Sequence, residues 1–515
     1  MVRVVRILPI LFVLLATACS SGPRNKSQRG MVRLPNIVII YADDLGYGDV
    51  GCYNKDSKIP TPHLDRLARQ GMRFTDAHSS SGICTPSRYA LLTGRHHWRE
   101  FHRIVNVFDG PRFKDERLTM PEMLQQRGYK TACIGKWHLG WNWRAIMKEN
   151  AKPIKGRNYA ADQFHWDKAI PGGPLAHGFD HYFGDDVPNF PPYAWIEDDR
   201  VVTAPTVPYK ADPKPPEGNH EGRPGPMVEG WRLDAVMPEL TRRAVEYVHQ
   251  QKDSEQPFFL FFPFTSPHAP IVPAESWIGK SDAGPFGDFV AQSDASVGAV
   301  MKALQQAGLG DNTLVIFSAD NGPEHYAYAR AKKFEHWSSA PLRGLKRDVW
   351  EGGHRVPMIV KWPGVVSRNK KSDALFGQVD LMATIAGIVG FDLPKDQAED
   401  SFDQLPVWLR QEDSVRDFIV HNTFAKKWGM RSGKWLLIDQ KDGQHSRAPK
   451  WVAEGFPPNP RNVMLCDLDE DLGQRTNVSD EHPEVVERLR AQLADLRERG
   501  HSAPRLSAQR LMENK

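Results

Sequence analysis

Four oxygen-bearing side chains stand directly after two apolar, strand-like runs of the sequence: Asp43, Asp44, Asp320 and Asn321. Ligands of an open α/β sheet bind beyond the carboxyl ends of its strands, so these side chains are expected to converge at one edge. Three carboxylates and one amide oxygen suit a hard cation such as Ca²⁺ or Mg²⁺ better than a soft metal. Any one of them alone would more simply cap a helix, but the two pairs together favour a metal site.

Two histidines and a lysine stand at similar positions. Lys136 and His138 follow the strand-like residues 131–134. His268 follows the apolar run 258–264. Imidazole can act as an acid, a base or a metal ligand near neutral pH, but it also serves in purely structural hydrogen bonds. Taken singly, each histidine fits either role.

A single cysteine opens a helix-like segment. Cys84 begins the run Cys-Thr-Pro-Ser-Arg at residues 84–88, and Pro86 suits the first turn of a helix. Cys84 is therefore expected at a helix N-terminus, where negative charge is favoured. A cysteine in such a place is often only a small buried residue. The alternative is a nucleophilic thiol activated by Arg88 and the helix dipole.

The elements that must position these residues alternate between strand and helix. Continuous apolar runs at 37–40, 258–264 and 313–318 are typical of strands buried on both faces. Between them lie segments with one apolar face. For the earliest of these helices, Thr61 and Pro62 supply a cap and a first-turn proline. This alternation predicts a doubly wound α/β domain.

Two stretches depart from this pattern. Residues 142–238 are rich in proline, glycine, tryptophan and charge, and we expect them to form insertions over the active face. In the later part of the chain, short strand-like runs and a charged helical segment at about 483–499 predict a smaller α+β subdomain over 401–500. The catalytic domain is therefore expected over 34–400, and residues 501–515 form a tail.

The N-terminus is typical of an export signal. Residues 1–18 combine a positive start, a short apolar run and small residues before Cys19. The apolar run is shorter than the ~20 residues that span a membrane. Cys19 resembles the lipidated cysteine of a bacterial lipobox, although Ala16 stands where leucine is usual, so secretion and lipidation both fit. After a tether over 19–33, the mature protein is expected in the periplasm, on the outer membrane or outside the cell.

Composition limits the possible partners. The chain has 515 residues, of which 40% are hydrophobic and 25% charged, as in soluble globular proteins. A net charge of +4 gives no electrostatic case for nucleic acid, so an anionic substrate must be attracted by local charge. No CxxC pair indicates a zinc or thioredoxin-type site, and Cys52, Cys133 and Cys466 fit small core positions or one disulfide pair.

Around Cys84 the sequence resembles the type I sulfatases of the alkaline phosphatase superfamily. The signature Cys-x-Pro-x-Arg runs on into Leu-Thr-Gly-Arg within residues 84–95. Further family-like blocks occur in family order at 43–49, 135–140, 178–184, 266–268, 320–322, 344–346, 351–357 and 465–468. In the last block Cys466 stands where tyrosine is usual, at a position without a catalytic role. The resemblance covers about 34–499 and implies a large mixed, mostly parallel sheet covered by helices on both faces.

The resemblance implies a modified nucleophile on a calcium ion. Cys84 would be oxidised in the cell to formylglycine by a formylglycine-generating or an anaerobic sulfatase-maturing enzyme. One hydroxyl of the formylglycine hydrate would be the nucleophile. It would be held on Ca²⁺ by the residues that match the family's metal ligands, which are Asp43, Asp44, Asp320 and Asn321.

The resemblance also assigns the charged residues. Arg88 and Lys136 would orient the hydrate, while Lys136, Lys346 and the metal would neutralise the sulfate. His268, together with Lys346, would be the general acid for the leaving alcohol. His138 would take the proton of the second hydroxyl, so that sulfate leaves and the aldehyde returns.

The predicted function is hydrolysis of a sulfate ester on a carbohydrate or an aryl group. A phosphate or phosphonate monoester hydrolase of the same superfamily would share the fold, although two-zinc phosphatases need further ligands. If Cys84 stayed unmodified, a sulfated-glycan-binding lipoprotein would be the alternative, touching the membrane only through lipid on Cys19. Some tryptophans in or beside the inserted region are expected to stack on sugar rings, although packing is the simpler role for each: Trp141, Trp143, Trp166, Trp195 and Trp231.

Overall fold

The structure, a computed structural model, describes residues 33–209 and 222–504. The chain divides into a short N-terminal unit that ends at Leu34 and a large unit that begins at Pro35. Several predictions lie outside the described residues: the signal peptide over 1–18, Cys19, the tether up to residue 32 and the tail beyond residue 504. No helix in the described ranges combines the length and apolar character needed to cross a membrane.

The described strands form one large sheet and three small ones. In chain order they are β1 Asn36–Ala42, β2 Met72–Phe74, β3 Ala77–His78, β4 Lys130–Ile134, β5 His181–Gly184, β6 Ile196–Glu197, β7 Arg200–Val201, β8 Val207–Pro208, β9 Pro226–Met227, β10 Phe258–Pro263, β11 Thr313–Ala319, β12 Met358–Lys361, β13 Lys370–Ser372, β14 Phe376–Gly377, β15 Phe418–Asn422, β16 Trp428–Ser432, β17 Trp435–Ile438 and β18 Met464–Asp467. The large sheet has the order β13-β2-β12-β11-β1-β10-β4-β5-β6-β7. β14 pairs with β3, and β8 pairs with β9.

The middle of the large sheet is parallel and fully buried. Strands β11, β1, β10, β4 and β5 run parallel, and Ile39 of β1 lies between Ile316 and Phe261. Every residue of β1 and β10 is buried, which explains their continuous apolar sequences. Antiparallel strands lie outside this block, β12 beside β11 and β6 beside β5. The predicted mixed, mostly parallel sheet is confirmed.

Helices cover both faces of this sheet. In chain order they are α1 Pro62–Gln70, α2 Cys84–Thr93, α3 Met120–Gln126, α4 Val236–Gln250, α5 Gly284–Gln306, α6 Ala327–Phe334, α7 Glu351–His354, α8 Leu381–Val389, α9 Leu405–Trp408, α10 Lys450–Ala453 and α11 Pro483–Glu498. The buried side chains of α1, α4 and α5 join one core with Val38 and Ile40 of β1. On the opposite face, Arg88 of α2 lies 5.5 Å from the ring centre of Tyr41, and α2 contacts α3 and α8.

Helix α1 begins where predicted but is capped by a distant residue. Thr61 occupies the cap position, yet its hydroxyl accepts from the Gly51 N–H at 2.9 Å, donates to the Asp65 carboxylate at 3.4 Å and accepts from no backbone N–H of the helix. Instead, the Asp294 carboxylate of α5 accepts from the N–H groups of His63 and Leu64 at 3.0 and 2.7 Å. Tertiary packing thus supplies the acceptor that the free helix N–H groups require.

Part of the stretch 142–238 extends the large sheet. Strand β5 pairs in parallel with β4, and β6 and β7 continue the sheet in antiparallel fashion. These strands have four, two and two residues, too few to produce the long apolar runs that revealed β1 and β10. They were therefore not predicted from the sequence.

A smaller layer follows near the C-terminus. Strands β15, β16, β17 and β18 form an antiparallel sheet in that order, and α11 packs on it through Leu489 and Leu493, which share a core with Leu437. The predicted α+β subdomain is confirmed. Within the described ranges the cysteines are unpaired, so the optional disulfide does not form between any of Cys52, Cys84, Cys133 and Cys466.

Candidate active site

Parallel pairing brings the two predicted acidic pairs together. Ala42 at the end of β1 lies opposite Ala319 at the end of β11, so Asp43 and Asp320 leave adjacent strand ends. The Asp320 N–H donates to the Ala42 carbonyl at 3.0 Å. Asp44 then turns into the left-handed region with φ 63°. Aspartate adopts this conformation more readily than most residues with a side chain.

Asp44 lies at the centre of this group. Its N–H donates to Asp320 Oδ1 at 3.2 Å, and its Oδ1 accepts from Asn321 Nδ2 at 2.7 Å. Lys346 Nζ donates to Asp44 Oδ2 at 2.8 Å, and His268 Nε2 lies 3.7 Å from the same oxygen. Burial alone would raise the pKa of Asp44, but Lys346 and then His268 hold it below its usual value. Residues from four separate parts of the chain therefore meet here.

Buried cations surround the carboxylates. Arg88 donates through Nε and Nη2 to Asp320 Oδ2 at 3.1 and 2.9 Å. Its Nη1 donates to the Lys136 carbonyl at 2.8 Å, and its Nη2 lies 3.9 Å from Asp43 Oδ1. Lys136 Nζ forms an ion pair with Asp43 Oδ2. With Lys346, these cations compensate the buried negative charge, which would otherwise be strongly unfavourable.

The carboxylate group retains acceptor atoms for a cation. Among the described residues, no donor reaches the buried atoms Asp43 Oδ1 and Asn321 Oδ1. Asp43, Asp44 and His268 each offer a ligand atom within 4.8 Å of the others. Burial, followed by the charge of Asp43, raises the pKa of Asp320 to about 7. A divalent cation would favour ionisation of all the carboxylates, so the residues present fit a hard metal ion.

Cys84 is the first residue of α2, a helix of ten residues that are all buried. The preceding Ile83 is extended, with φ −147° and ψ 155°. Burial raises the pKa of the Cys84 thiol, although Lys136 and Lys346 act in the opposite direction. A thiol with a raised pKa is a poor nucleophile, so the alternative of an activated thiolate loses support.

His138 is held as a neutral ring with one free nitrogen. Its Nε2 donates to the Val105 carbonyl at 3.0 Å, because a carbonyl can only accept. Burial lowers the pKa of His138 well below its usual value, and Lys136 and Arg88 add to this. The lone pair is therefore on Nδ1, which is buried and has no hydrogen-bond partner in the part of the chain that the structure describes.

His268 has the opposite tautomer. Its Nδ1 donates to the Ala269 carbonyl, which leaves the lone pair on Nε2, the atom that faces Asp44. Burial, then Lys346 and Lys136, lowers the pKa of His268 to about 3. The ring is therefore neutral as it stands, and a bound anion next to Nε2 would favour its protonated form.

Two residues at the site were not predicted from the sequence. Glu324 lies 3.6 Å from Lys346 Nζ and also pairs with Arg347. It follows Asn321 by three positions, so its place beside the metal motif was a usable signal. Asp186 accepts from the His138 N–H at 3.0 Å. It lies in the irregular stretch 142–238, where no pattern distinguishes one carboxylate from another.

A cavity of about 860 Å³ is lined in part by residues close in sequence to Lys346. Gly344 and Asp348, which flank Lys346 in the chain, form part of its wall, but the catalytic candidates do not line it. Its aromatic and cationic lining includes Trp337, Trp451, Arg343 and Arg475. Trp337 and Trp451 are 46% and 39% exposed. Exposed tryptophans beside arginines are suited to an anionic, ring-shaped ligand.

The predicted sugar-stacking tryptophans are less accessible. Trp141 and Trp143 are buried, at 0% and 2% exposure, so neither is accessible to a sugar ring, and packing is the role of both. Trp195 and Trp231 pack on each other with ring centres 4.9 Å apart, and Trp166 stacks on Phe164. The sequence could not distinguish these cases because tryptophan composition does not determine which face of an irregular segment is covered.

Comparisons with known proteins give consistent matches. The sulfatase family model matches residues 35–391. An N-acetylgalactosamine-6-O-sulfatase of Bacteroides thetaiotaomicron is 32% identical over 535 residues, covering 97% of this chain and 100% of the relative. Arylsulfatase A of Homo sapiens is 32% identical over 490 residues, covering 89% and 87%. A solved structure described under glycosaminoglycan metabolism by Bacteroides thetaiotaomicron has a TM-score of 0.76 and 31% identity, covering 91% and 100%.

Proposed function

The chain belongs to the sulfatase family, and we propose that it removes sulfate from a sulfated glycan with one Ca²⁺ and a formylglycine made from Cys84. The observation that carries this proposal is a pair of buried acceptors, Asp43 Oδ1 and Asn321 Oδ1, that have no donor among the described residues and lie close to buried cations. Free oxygen acceptors suit a hard metal ion, and the surrounding cations suit a sulfate anion.

The direct test measures how fast sulfate, phosphate or phosphonate is released from matched ester substrates. Sulfated oligosaccharides and the corresponding phosphate and phosphonate esters are offered to the matured protein. We expect kcat/KM for the sulfate ester to exceed the others by at least about 100-fold. Faster hydrolysis of the phosphate or phosphonate ester would reject the proposal in favour of the related hydrolase.

The metal ligands in this proposal are Asp43, Asp44, Asp320 and Asn321, together with the modified residue 84. A bound Ca²⁺ would lower the energy of an attacking oxygen and polarise a sulfate oxygen. Arg88 fixes the Asp320 carboxylate through two hydrogen bonds and thereby keeps one ligand in place. Lys136 and Lys346 each have an ammonium group paired with a ligand carboxylate, so both can also attract the sulfate.

The two histidines divide the proton transfers. His138 has its lone pair on Nδ1, so it can accept the proton of the second hydroxyl of the hydrate. His268 has its lone pair on Nε2, and a bound sulfate would favour protonation of that atom. His268 can then donate the proton to the leaving alcohol, as a general acid should.

A His268→Gln variant should reveal this role through its dependence on the leaving group. The sugar oxygen must be protonated in order to leave, whereas the phenolate of an activated aryl sulfate leaves with little need for a proton. We expect kcat/KM to fall at least about 100-fold on a sulfated sugar and less than about 10-fold on the aryl sulfate. Both values are measured on one protein preparation. The variant His249→Gln, at an exposed histidine in the last turn of α4, is the control, and equal losses on both substrates would contradict the assignment.

The end-to-end match to the Bacteroides relative, which is named as an N-acetylgalactosamine-6-O-sulfatase, supports a particular substrate class. We therefore propose a 6-O-sulfated N-acetylhexosamine unit as the first substrate to test. The rest of the glycan would lie over the cavity lined by Trp337 and Trp451. Arg343 and Arg475 in the same lining would pair with further sulfate or carboxylate groups of the chain.

Removing the two cavity tryptophans should affect long substrates selectively. A Trp337→Ala, Trp451→Ala double variant is expected to raise KM for a sulfated oligosaccharide about 5- to 10-fold, because ring stacking contributes about 1 kcal/mol. KM for a small aryl sulfate should change less than about twofold, since that substrate does not reach the cavity. Steady-state kinetics on both substrates, with the exposed Ile278→Ala variant as the control, decides the point. An unchanged KM for the oligosaccharide would show that the cavity does not bind the glycan.

The burial of residue 84 bears on its maturation. Cys84 is only 3% exposed and the whole of α2 is covered. We propose that a formylglycine-generating or an anaerobic sulfatase-maturing enzyme acts on the chain before α2 is buried. The typical signal over 1–18 agrees with export of the chain, with Cys19 as the possible lipid anchor.

A further inference from the structure

Three buried histidines meet outside the candidate active site, between the main body of the fold and the four-stranded sheet. His78 ends β3, His354 ends α7 and His421 lies on β15. Each of the three is 0% exposed. One ring nitrogen of each lies within 4.8 Å of a nitrogen of the other two. Polar rings buried together in this way require partners for their nitrogen atoms.

In two of the rings, the nitrogen that points away from the group, Nε2, must carry a proton because of the acceptor that it faces. His78 Nε2 lies 2.9 Å from Asp76 Oδ1, a carboxylate that also pairs with two arginines. His354 Nε2 lies 3.2 Å from the Val349 carbonyl oxygen. A carboxylate and a carbonyl can only accept, so each Nε2 must donate. In a neutral ring this leaves Nδ1 as a bare lone pair.

When both rings are neutral, the inner nitrogens face each other as acceptors. His78 Nδ1 and His354 Nδ1 are 3.1 Å apart, where two lone pairs repel unless they share a positive charge. His421 packs against both rings, and neither of its nitrogens has a hydrogen-bond partner among the described residues. Two nitrogens on one zinc ion lie about 3.3 Å apart, given zinc–nitrogen bonds of ~2.0–2.1 Å. The observed separation is close to that value.

We propose that His78, His354 and His421 bind one transition-metal cation, with zinc as the expected ion. Imidazole nitrogen suits zinc, copper and nickel, whereas Ca²⁺ requires oxygen ligands. Metal-bound histidines commonly donate their other N–H to a carboxylate or carbonyl, as His78 and His354 do here. Binding requires the His421 ring to turn out of its stack with His354, where the ring centres are 3.5 Å apart.

Such an ion would have a structural role. His421 belongs to the first strand of the four-stranded sheet, whereas His78 and His354 belong to the main body of the fold. A shared metal would therefore tie β15 to the elements that precede it. Because all three ligands are buried, the ion must enter during folding, and its binding would contribute to folding stability.

Metal analysis of the full-length protein tests this proposal. The protein is produced with zinc in the growth medium and purified in excess Ca²⁺, so that the oxygen ligands are occupied by calcium. We expect zinc, copper and nickel together to amount to about one equivalent per chain. X-ray absorption at the metal edge should show nitrogen neighbours at ~2.0–2.1 Å.

A matched pair of variants assigns the metal to these residues. His421→Phe keeps a flat ring and should reduce the bound transition metal at least about fivefold. His97→Phe is the control, because His97 is also fully buried but does not belong to the group of three histidines. A wild-type protein without transition metal, or with a metal bound only by oxygen, would overturn the proposal. Unchanged metal content in His421→Phe would do the same. The absorption measurement on the wild type decides the question even where a variant does not fold.

Discussion

Replacing Cys84 with serine is expected to lower kcat/KM for sulfate ester hydrolysis by at least about 1,000-fold. Serine provides one hydroxyl, so the second hydroxyl, whose proton His138 would take, is missing. The change is small in volume and leaves the charges of Lys136 and Lys346 in place. The loss should therefore appear in kcat, while the affinity for the sulfated substrate stays within about threefold. Steady-state kinetics and equilibrium binding of the same oligosaccharide give both numbers.

A second cysteine supplies the control for this variant. Cys52 is partly exposed, and burial followed by Asp65 raises the pKa of its thiol to about 12. It makes no contact with the candidate site that the structure shows. Cys52→Ser should retain wild-type kcat/KM within about twofold. If Cys84→Ser kept more than about a tenth of the activity, residue 84 would not be the nucleophile.

An Asp320→Asn variant should lower kcat/KM by at least about 100-fold and weaken the response to calcium. Asp320 accepts hydrogen bonds from Arg88 and from the Asp44 N–H. Replacing its carboxylate therefore disturbs the whole set of acidic residues at the site. Calcium at 100 times its Kd should stabilise the wild type by about 2.7 kcal/mol. For a chain of this size, that corresponds to a rise in Tm of about 3 °C. We expect this calcium-dependent rise to disappear in the variant.

The control for the metal ligand is an aspartate outside the site. Asp198 has a side chain that is 47% exposed and pairs with His181 at 2.8 Å. Its φ of 56° is a conformation that asparagine tolerates well. Asp198→Asn should keep both the activity and the calcium-dependent Tm shift. A full calcium shift in Asp320→Asn would mean that the ion binds elsewhere.

The sequence predicted those parts of the fold in which local pattern and burial coincide. β1 and β10 are buried on both faces, so their apolar runs are continuous and were located to within a few residues. β5 belongs to the same sheet but has only four residues, and no periodicity marks it. The position of the α1 cap was predicted, but the residue that accepts from the helix N–H groups was not. That residue is Asp294, on a helix more than two hundred residues later in the chain.

The candidate site was predictable for a related reason. Parallel strands release their next residues at one edge, so Asp43 and Asp320 could be placed together from strand ends alone. The histidine group around His421 follows no such rule. Its members come from separate elements with no metal-ligand spacing, and only the folded structure brings them together. The burial of single side chains, such as Trp141, likewise could not be predicted from the sequence.

The mass of the tryptic peptide over residues 74–88, which contains Cys84, tests the central claim most directly. The protein is produced together with a maturation enzyme and digested after purification. Conversion of the thiol to an aldehyde lowers the peptide mass by about 18 Da and creates the electrophile that forms the nucleophilic hydrate. We predict that the lighter peptide is present and that its fraction scales with the specific activity. Active protein that carries only the unmodified thiol would contradict the proposed mechanism.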